Sequence, residues 1–504
     1  TRGSEATFVN AQGLIQSTNE IGSELVTNGD FATNSDWILT SGANISNNKL
    51  NINATSYDFF ARQLNVVTSG TQYKVTFDVD KQGGNGVLVY LSDSSAFAIV
   101  QSSGTHTFYF TADGSQIRFR AYSQGFIGSI DNVSVKEHIT ATNTPRLDYS
   151  TGAEAFLLEP QSTNLITYSE DFSDSYWRKD KLTVTSNSIN SPSGEVNASL
   201  IQETVYTSSI PSIDLNSSIY LIAGSYTCSF YVKRNNVRYL GINFGSGAER
   251  IRTNFDFDTL TFKTPVFNGT TTGELSYTAL GDYYRISVNA NFPSTISGDI
   301  NIIPLATDVY PFYANQNSDN RSFYLWGAQV EQQSYSTSYI PTSGASATRN
   351  QELCANATPV INSEEGTLYA EISALANGVG GAISLSDGTS NNYIYLYFHP
   401  SGTKIVAKIV VNSITVYDKN ITSLDEVNYN KIAFKYQDSS FKIFANGVNI
   451  SSLNQNSGNT FPINILNKLS FDNGAGSLDF FGNTKDLKYY PKALQDVQLQ
   501  DLTT

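Results

Sequence analysis

The sequence predicts an all-β protein of three β-sandwich domains, the first inserted into a segment that resumes on its far side. Three observations carry that expectation. Large apolar residues alternate with polar ones in many short runs, as in YKVTFDV (residues 73–79) and KIAFKYQ (residues 431–437), the period of a strand with one buried face. The runs are separated by Gly, Asn and Ser clusters that turn the chain. Tyr and Phe number 30 and 29 while charged residues make up only 15%, a balance that suits strands and is too aromatic for a disordered chain. A length of 504 residues leaves room for about three domains, each with its own core.

Taken in order, the chain repeats itself. LVTNGDFATNSDW (residues 25–37) and LITYSEDFSDSYW (residues 165–177) each open on an apolar residue, carry an Asp-Phe pair and close on Trp. YKVTFDV and YTCSFYV (residues 226–232) then place large residues at matching alternate positions, after Gly70 and Gly224. IDNVSV (residues 130–135) and LWGAQV (residues 325–330) end the units, with Ile130 matching Leu325, Val133 matching Ala328 and Val135 matching Val330. Self-similarity at domain length predicts two copies of one sandwich, over residues 24–137 and within residues 161–350. Trp37 and Trp177 recur at the start of each copy and are assigned to its core. The Ser- and Thr-rich stretch 335–349 reads as an extended linker lying along the domain surface. Residues 351–504 give the third sandwich, closed by a strand after Phe480 and Phe481 and by a short helix that Pro491 opens, with Leu494, Val497 and Leu502 inward. Residues 1–23 are expected to pair with residues 138–160 across the inserted domain.

The net charge of −14 argues against nucleic acid as a partner, since that affinity rests on clustered Lys and Arg. Cys228 and Cys354 fall in different domains and read as unpaired structural residues. No run of about 18 apolar residues marks a membrane span, so no membrane insertion is expected. No signal peptide is visible. The chain opens on Thr1 and has no Met, so an upstream attachment region is expected to be missing.

TRGSEATFVNAQGLIQ (residues 1–16) and NTPRLDYSTGAEAFLLEPQSTNL (residues 143–165) resemble the halves of one motif of bacteriophage virion proteins, chiefly tail-fibre and head-fibre proteins. GAQVEQQSYSTSYIPTSGASATRN (residues 327–350) resembles the phrase that ends such domains. NGDF, the downstream Trp, the YKVTFDV strand and the closing DNVSV resemble carbohydrate-binding modules of the family 4/9/22 type, which implies jelly rolls. The stretches 431–448 and 480–502 resemble a concanavalin-like or laminin-G-like sandwich. In the carbohydrate-binding modules a structural calcium often ties the first strand to the last, which implies Asp30 and Asp131 as ligands here. Calcium takes several oxygens, and in the second copy Trp326 and Gly327 replace the Asp131-Asn132 pair.

The sequence carries no recognisable catalytic pattern. His106, His138 and His399 lie in no metal spacing, and there is no GxSxG or phosphate-binding glycine motif. Adjacent acids such as Glu364-Glu365 and Asp425-Glu426 do not make a glycosidase pair, which needs carboxyls held across a cleft, so the chain is not expected to be an enzyme. Sugar binding needs aromatic rings and hydrogen-bonding side chains together. In the inserted domain SYDFFARQ and RFRAYSQGF are expected to lie opposite each other, which nominates Tyr57, Phe59, Arg62, Arg118, Arg120 and Tyr122 as glycan contacts. Strand aromatics are more often core. Asp387, Asn391 and Asn392 form a second, weaker group, more simply read as an Asp-Gly turn.

The resemblance implies a virion-surface fibre or appendage protein that packs with other virion proteins, forms a homo-oligomer of the trimeric kind and binds host surface polysaccharide multivalently. No heptad run marks a coiled coil. The rival readings are a decoration protein without ligand, a polysaccharide-degrading tailspike, and a secreted lectin.

Overall fold

The computed structural model describes residues 1–40, 42–54, 59–91, 96–123, 125–139, 141–308, 317–354, 357–438, 440–451 and 461–504. Nearly all of the regular structure is antiparallel strand, and among the described residues the one helix is Asp496–Thr503. The chain divides into two compact units, residues 18–141 and residues 1–17 with 142–504.

The first unit is a sandwich of a five-stranded and a six-stranded sheet, with Phe31, Trp37, Phe60, Phe77, Phe119 and Phe126 in its core. It extends beyond the 24–137 read from the sequence. Strand Glu20–Glu24 pairs with the end of strand Phe126–Ile139, Ile21 lying opposite His138, so both ends of the insert are zipped to each other inside the unit.

The second unit contains two sandwiches with separate cores, one around Trp177, Phe230 and Phe244, the other around Leu368, Phe434 and Phe480. The first of these joins an eight-stranded to a six-stranded sheet, the other a seven-stranded to a five-stranded sheet. Strands Arg146–Asp148 and Ala155–Leu158 begin that seven-stranded sheet, Phe156 lying opposite Thr484 of the closing strand Gly482–Tyr490. The segment expected to partner the N-terminal residues therefore also builds the third sandwich.

The repeat seen in the sequence recurs as matching hydrogen bonds. Trp37 Nε1 donates to the Asn28 carbonyl at 3.0 Å, and Trp177 Nε1 to the Tyr168 carbonyl at 2.8 Å, both nine residues back. The closing strands return to the same place, with Val133 N–H on Gly29 O and Ala328 N–H on Ser169 O, each 2.9 Å. Leu25 N–H meets Val135 O as Leu165 N–H meets Val330 O. Asn132 and Gly327, equivalent in the two closing strands, both take positive φ, 50° and 64°, where each strand bulges away from its neighbour.

Residues 1–17 fold onto the residues that resume after the insert. Arg2 N–H donates to Asn143 Oδ1 and Val9 N–H to Asp148 Oδ2, both at 2.8 Å, and Tyr149 N–H returns a bond to Val9 O. Strands Thr7–Val9 and Ile15–Ser17 form a hairpin whose Ile15 packs with Tyr231, Tyr283, Trp326 and Tyr339 on the outer face of the six-stranded sheet. Beneath this lies a buried ion cluster. Arg146, fully buried, bonds both oxygens of Glu352, the Thr7 carbonyl (2.7 Å) and Glu159 (2.8 Å). Arg2 reaches Glu352 at 2.5 Å and Arg349 reaches Glu159 at 2.8 Å. Burial pushes the Glu159 carboxyl up, but Arg349, Arg146 and hydrogen bonds from Ser338 outweigh it and hold it at about 2.

Two expectations are corrected. The 335–349 stretch is not a surface linker: Thr337, Tyr339, Ile340 and Arg349 are buried, because Thr337 is held by Glu331 and Ser338 by Glu159. The terminal helix begins at Asp496 behind an N-cap at Gln495, five residues past Pro491. That start turns Leu499 inward, with Leu494 and Leu502 packing beside it, and leaves Val497 59% exposed.

Glu170 accepts from Tyr339 Oη at 2.9 Å and Asn197 Nδ2 at 3.0 Å. Burial and, further down, the charge of Glu195 raise its carboxyl from about 4.5 to about 7, against the pull of those hydrogen bonds. The folded state thus keeps a proton that the unfolded chain has lost. This contribution to stability is full below about pH 4.5 and is lost as pH rises through 7. Glu170→Gln is expected to flatten the pH dependence of the urea midpoint between pH 5 and pH 8; an unchanged slope contradicts this assignment.

Candidate functional site

In the first unit, strand Ile117–Ala121 lies between strands Phe59–Gln63 and Val87–Tyr90. Its alternation sends Ile117, Phe119 and Ala121 into the core, so Arg118 and Arg120 belong to the opposite face of the sheet. Arg118 lies directly opposite Arg62 on one side and Tyr90 on the other, and Ile38 lies opposite Arg62. The Arg118 guanidinium sits over the Tyr90 ring, 4.8 Å from its centroid, a cation–π contact. Arg118 is buried, Arg120 half-buried and Arg62 exposed. Tyr122 follows the strand, half-buried, its N–H on Gly86 O. Tyr57 and the side chain of Phe59 lie outside the described residues. Sequence reasoning missed Tyr90, because VLVY (residues 87–90) is apolar throughout and its period does not say which residue faces out.

The second sandwich carries polar residues at the corresponding positions. Ile38 and Arg178 each follow the repeat's closing Trp. From Arg178 the register runs straight across the sheet: Arg178 lies opposite Asp214, Asp214 opposite Asn301, Asn301 opposite Asn243, and Asn243 opposite Arg252. With strands about 4.8 Å apart this row spans about 19 Å. The core-facing neighbours Trp177, Ile213, Ile302, Ile242 and Ile251 place the row on the sheet's outer face. Its members bond to one another: Arg178 pairs with Asp214, Asn301 Nδ2 donates to Asp214 at 3.2 Å, and Asn243 Nδ2 donates to Asn301 Oδ1 at 2.6 Å. Arg252 donates to Asn268, and Asn254, two residues on, to Asp308. Among the described residues, the oxygens Asn243 Oδ1 and Asn254 Oδ1 have no hydrogen-bond partner, and their residues are 5% and 1% exposed. A buried acceptor left unpaired is costly. Burial, followed by the charge of Asp214, raises the carboxyl of Asp299 beside this row. None of these residues was singled out from sequence, because polar residues alternating with core residues look the same on any solvated strand.

The third sandwich has a different face. Tyr393, Tyr395 and Tyr397 project from one side of strand Tyr393–Phe398, half-buried, with Tyr393 and Tyr395 stacked at 5.1 Å. The loop with Asp387, Asn391 and Asn392 is closed on itself: Asp387 accepts from Thr389 and Asn392, while Asn392 Oδ1 caps Asn412 N–H and Asn391 Oδ1 takes the Ser413 hydroxyl. Those groups hold a turn.

The bond between Val133 N–H and Gly29 O brings the loop of Asp30 to the closing strand of Asp131. One oxygen of each Asp is engaged locally, by the N–H of Ala32 and of Asn132. Among the described residues no third acidic, His or Cys side chain joins them in a metal-holding group, so a calcium here would need backbone or amide carbonyls and water to complete its shell.

No protein-family model matches the chain, and no curated protein matches it. Among solved structures, the tandem CBM22-1–CBM22-2 domain of Paenibacillus barcinonensis Xyn10C is similar at 12% identity and TM-score 0.20, covering 62% of this chain and 99% of that one. Trypanosoma rangeli sialidase is similar at 10% identity and TM-score 0.22, covering 100% and 98%. The same sialidase in complex with sialic acid gives 9% identity and TM-score 0.22, covering 100% and 97%. At such TM-scores these likenesses say nothing about ligand or activity.

Proposed function

We propose that this chain is a bacteriophage fibre or appendage protein that attaches to host surface polysaccharide through the outer faces of its first two sandwiches. The observation that carries the glycan part is the recurrence of hydrogen-bonding side chains at one register of the repeat: Arg62, Arg118 and Tyr90 in one copy, Asp214, Asn301 and Asn243 in the other. Planar guanidinium and amide groups beside a ring suit sugar hydroxyls and their apolar ring faces. Support for the virion part is the two-part motif, whose halves join through Arg2, Arg146 and Val9. Weak sites in one protein, multiplied in an oligomer on a particle, would add up by avidity. The chain acts in this reading as a binder, with no hydrolytic step.

The test is a glycan array on the purified chain, run with calcium and with chelator. Saturable binding to bacterial polysaccharide is the expected result, and its loss in chelator alone would show that binding depends on a divalent cation. Absence of binding in both conditions would favour a decoration role. Shortening of the bound polymer would favour a tailspike enzyme.

A further inference from the structure

The second sandwich has a cleft away from the polar row, with a volume of about 420 Å³, beside the edge strand Ile219–Leu221. None of its lining residues is charged, in a chain with net charge −14. On one wall Tyr220 is 72% exposed and Ile222 48% exposed, an aromatic and an aliphatic residue left open to water. Their direction is fixed. Leu221 is fully buried over Gly298, where a Cβ would come within 2.5 Å of its side chain, and alternation then turns Tyr220 outward. Tyr226 forms part of the lining, itself only 3% exposed. The facing wall is amide: Gln333 Nε2 donates to the Gln161 carbonyl at 3.0 Å. Among the described residues, no partner engages Gln333 Oε1 or the exposed amide of Gln332.

We infer that this cleft is a second glycan subsite that takes one or two units of a neutral saccharide. The inference rests on the reading of the chain as a glycan binder. The volume lies in the range of small-ligand sites. The ring of Tyr220 offers a face for the C–H side of a sugar, and the Gln332 and Gln333 amides offer both donor and acceptor to its hydroxyls. A uronate or sialylated unit would bring a carboxylate into a cleft with no cation to meet it, and a desolvated unpaired charge is costly. Such sugars are therefore excluded by chemistry as well as by the net charge.

The experiment is calorimetric titration of the full chain with neutral hexasaccharides of glucose, galactose and N-acetylglucosamine, and with a hexauronate. Wild type is compared with Tyr220→Ala, with Gln332→Ala, and with a variant of the polar faces, Arg118→Ala plus Asn243→Ala. All are checked for fold by circular dichroism. Tyr220→Ala is expected to weaken binding of a neutral saccharide by about tenfold, the scale of one aromatic contact, with a smaller loss in Gln332→Ala. The polar-face variant is expected to keep a residual saccharide site. Binding unchanged in both cleft variants overturns the subsite while leaving the glycan reading in place. A wild type that binds none of the saccharides overturns both. Preference for the hexauronate at this cleft overturns the neutral assignment.

Discussion

Replacing Arg146 by alanine is expected to cost about 3–5 kcal/mol of stability, because it leaves two buried carboxylates with one cationic partner each, Arg2 on Glu352 and Arg349 on Glu159. Glu159 and Glu352 are 3% and 4% exposed, and Arg146 is the residue that contacts both. The loss also removes the Arg146 donor from the Thr7 carbonyl, so the N-terminal hairpin should loosen with it. Urea unfolding at pH 7, with hydrogen exchange followed over residues 1–17, reads both effects. The sign of the pH dependence follows from Glu159. Its folded-state value is depressed to about 2, so its contribution is present above about pH 4.5 and is lost as pH falls toward 2. The gap between wild type and Arg146→Ala should accordingly shrink at pH 3. A variant within about 1 kcal/mol of wild type at pH 7 would show that the cluster does not hold these segments, as a surface ion pair would not.

Trp177→Ala is expected to cost about 3–5 kcal/mol by cavity formation and loss of packing. Trp177 is 1% exposed, lies 5.0 Å from the ring of Phe172 and 5.5 Å from that of Tyr176, and donates to Tyr168. The equivalent Trp37 packs on Phe31 and Phe119 at 5.3 and 6.1 Å in the unit of residues 18–141. Because each unit has its own core, Trp37→Ala should lower the unfolding transition of that unit and leave the other in place. Trp177→Ala should do the reverse. Calorimetry resolves the two; a single transition shifted equally by both substitutions would contradict independent cores.

The repeat was legible because its signals are local. An Asp-Phe pair, a closing Trp and period-two strands each report a residue's own neighbourhood, and together they fixed which strands match. The ion cluster was not legible. Arg2 and Glu352 stand 350 residues apart, and a lone Arg in a loop gives no sign of its partner. The helix phase differs for a smaller reason: Pro491 reads as the first helical residue, and the five-residue offset to Asp496 turns Val497 from inside to outside. At the candidate site, alternation told that Arg118 and Arg120 share one face, whereas the pairing with the Arg62 strand and the row through Asn243 and Asn301 depend on register between strands distant in sequence, which no single-strand pattern encodes.

The proposal that each of the two sandwiches carries an equivalent glycan-binding face is tested most directly by biolayer interferometry on the polysaccharide that the array selects, using the full chain and three variants: Arg118→Ala with Arg120→Ala, Asn243→Ala with Asn301→Ala, and all four together. Each pair of substitutions is expected to weaken binding, and the combination to weaken it more than either pair alone. A fourfold variant that is folded and binds as tightly as wild type would contradict the account.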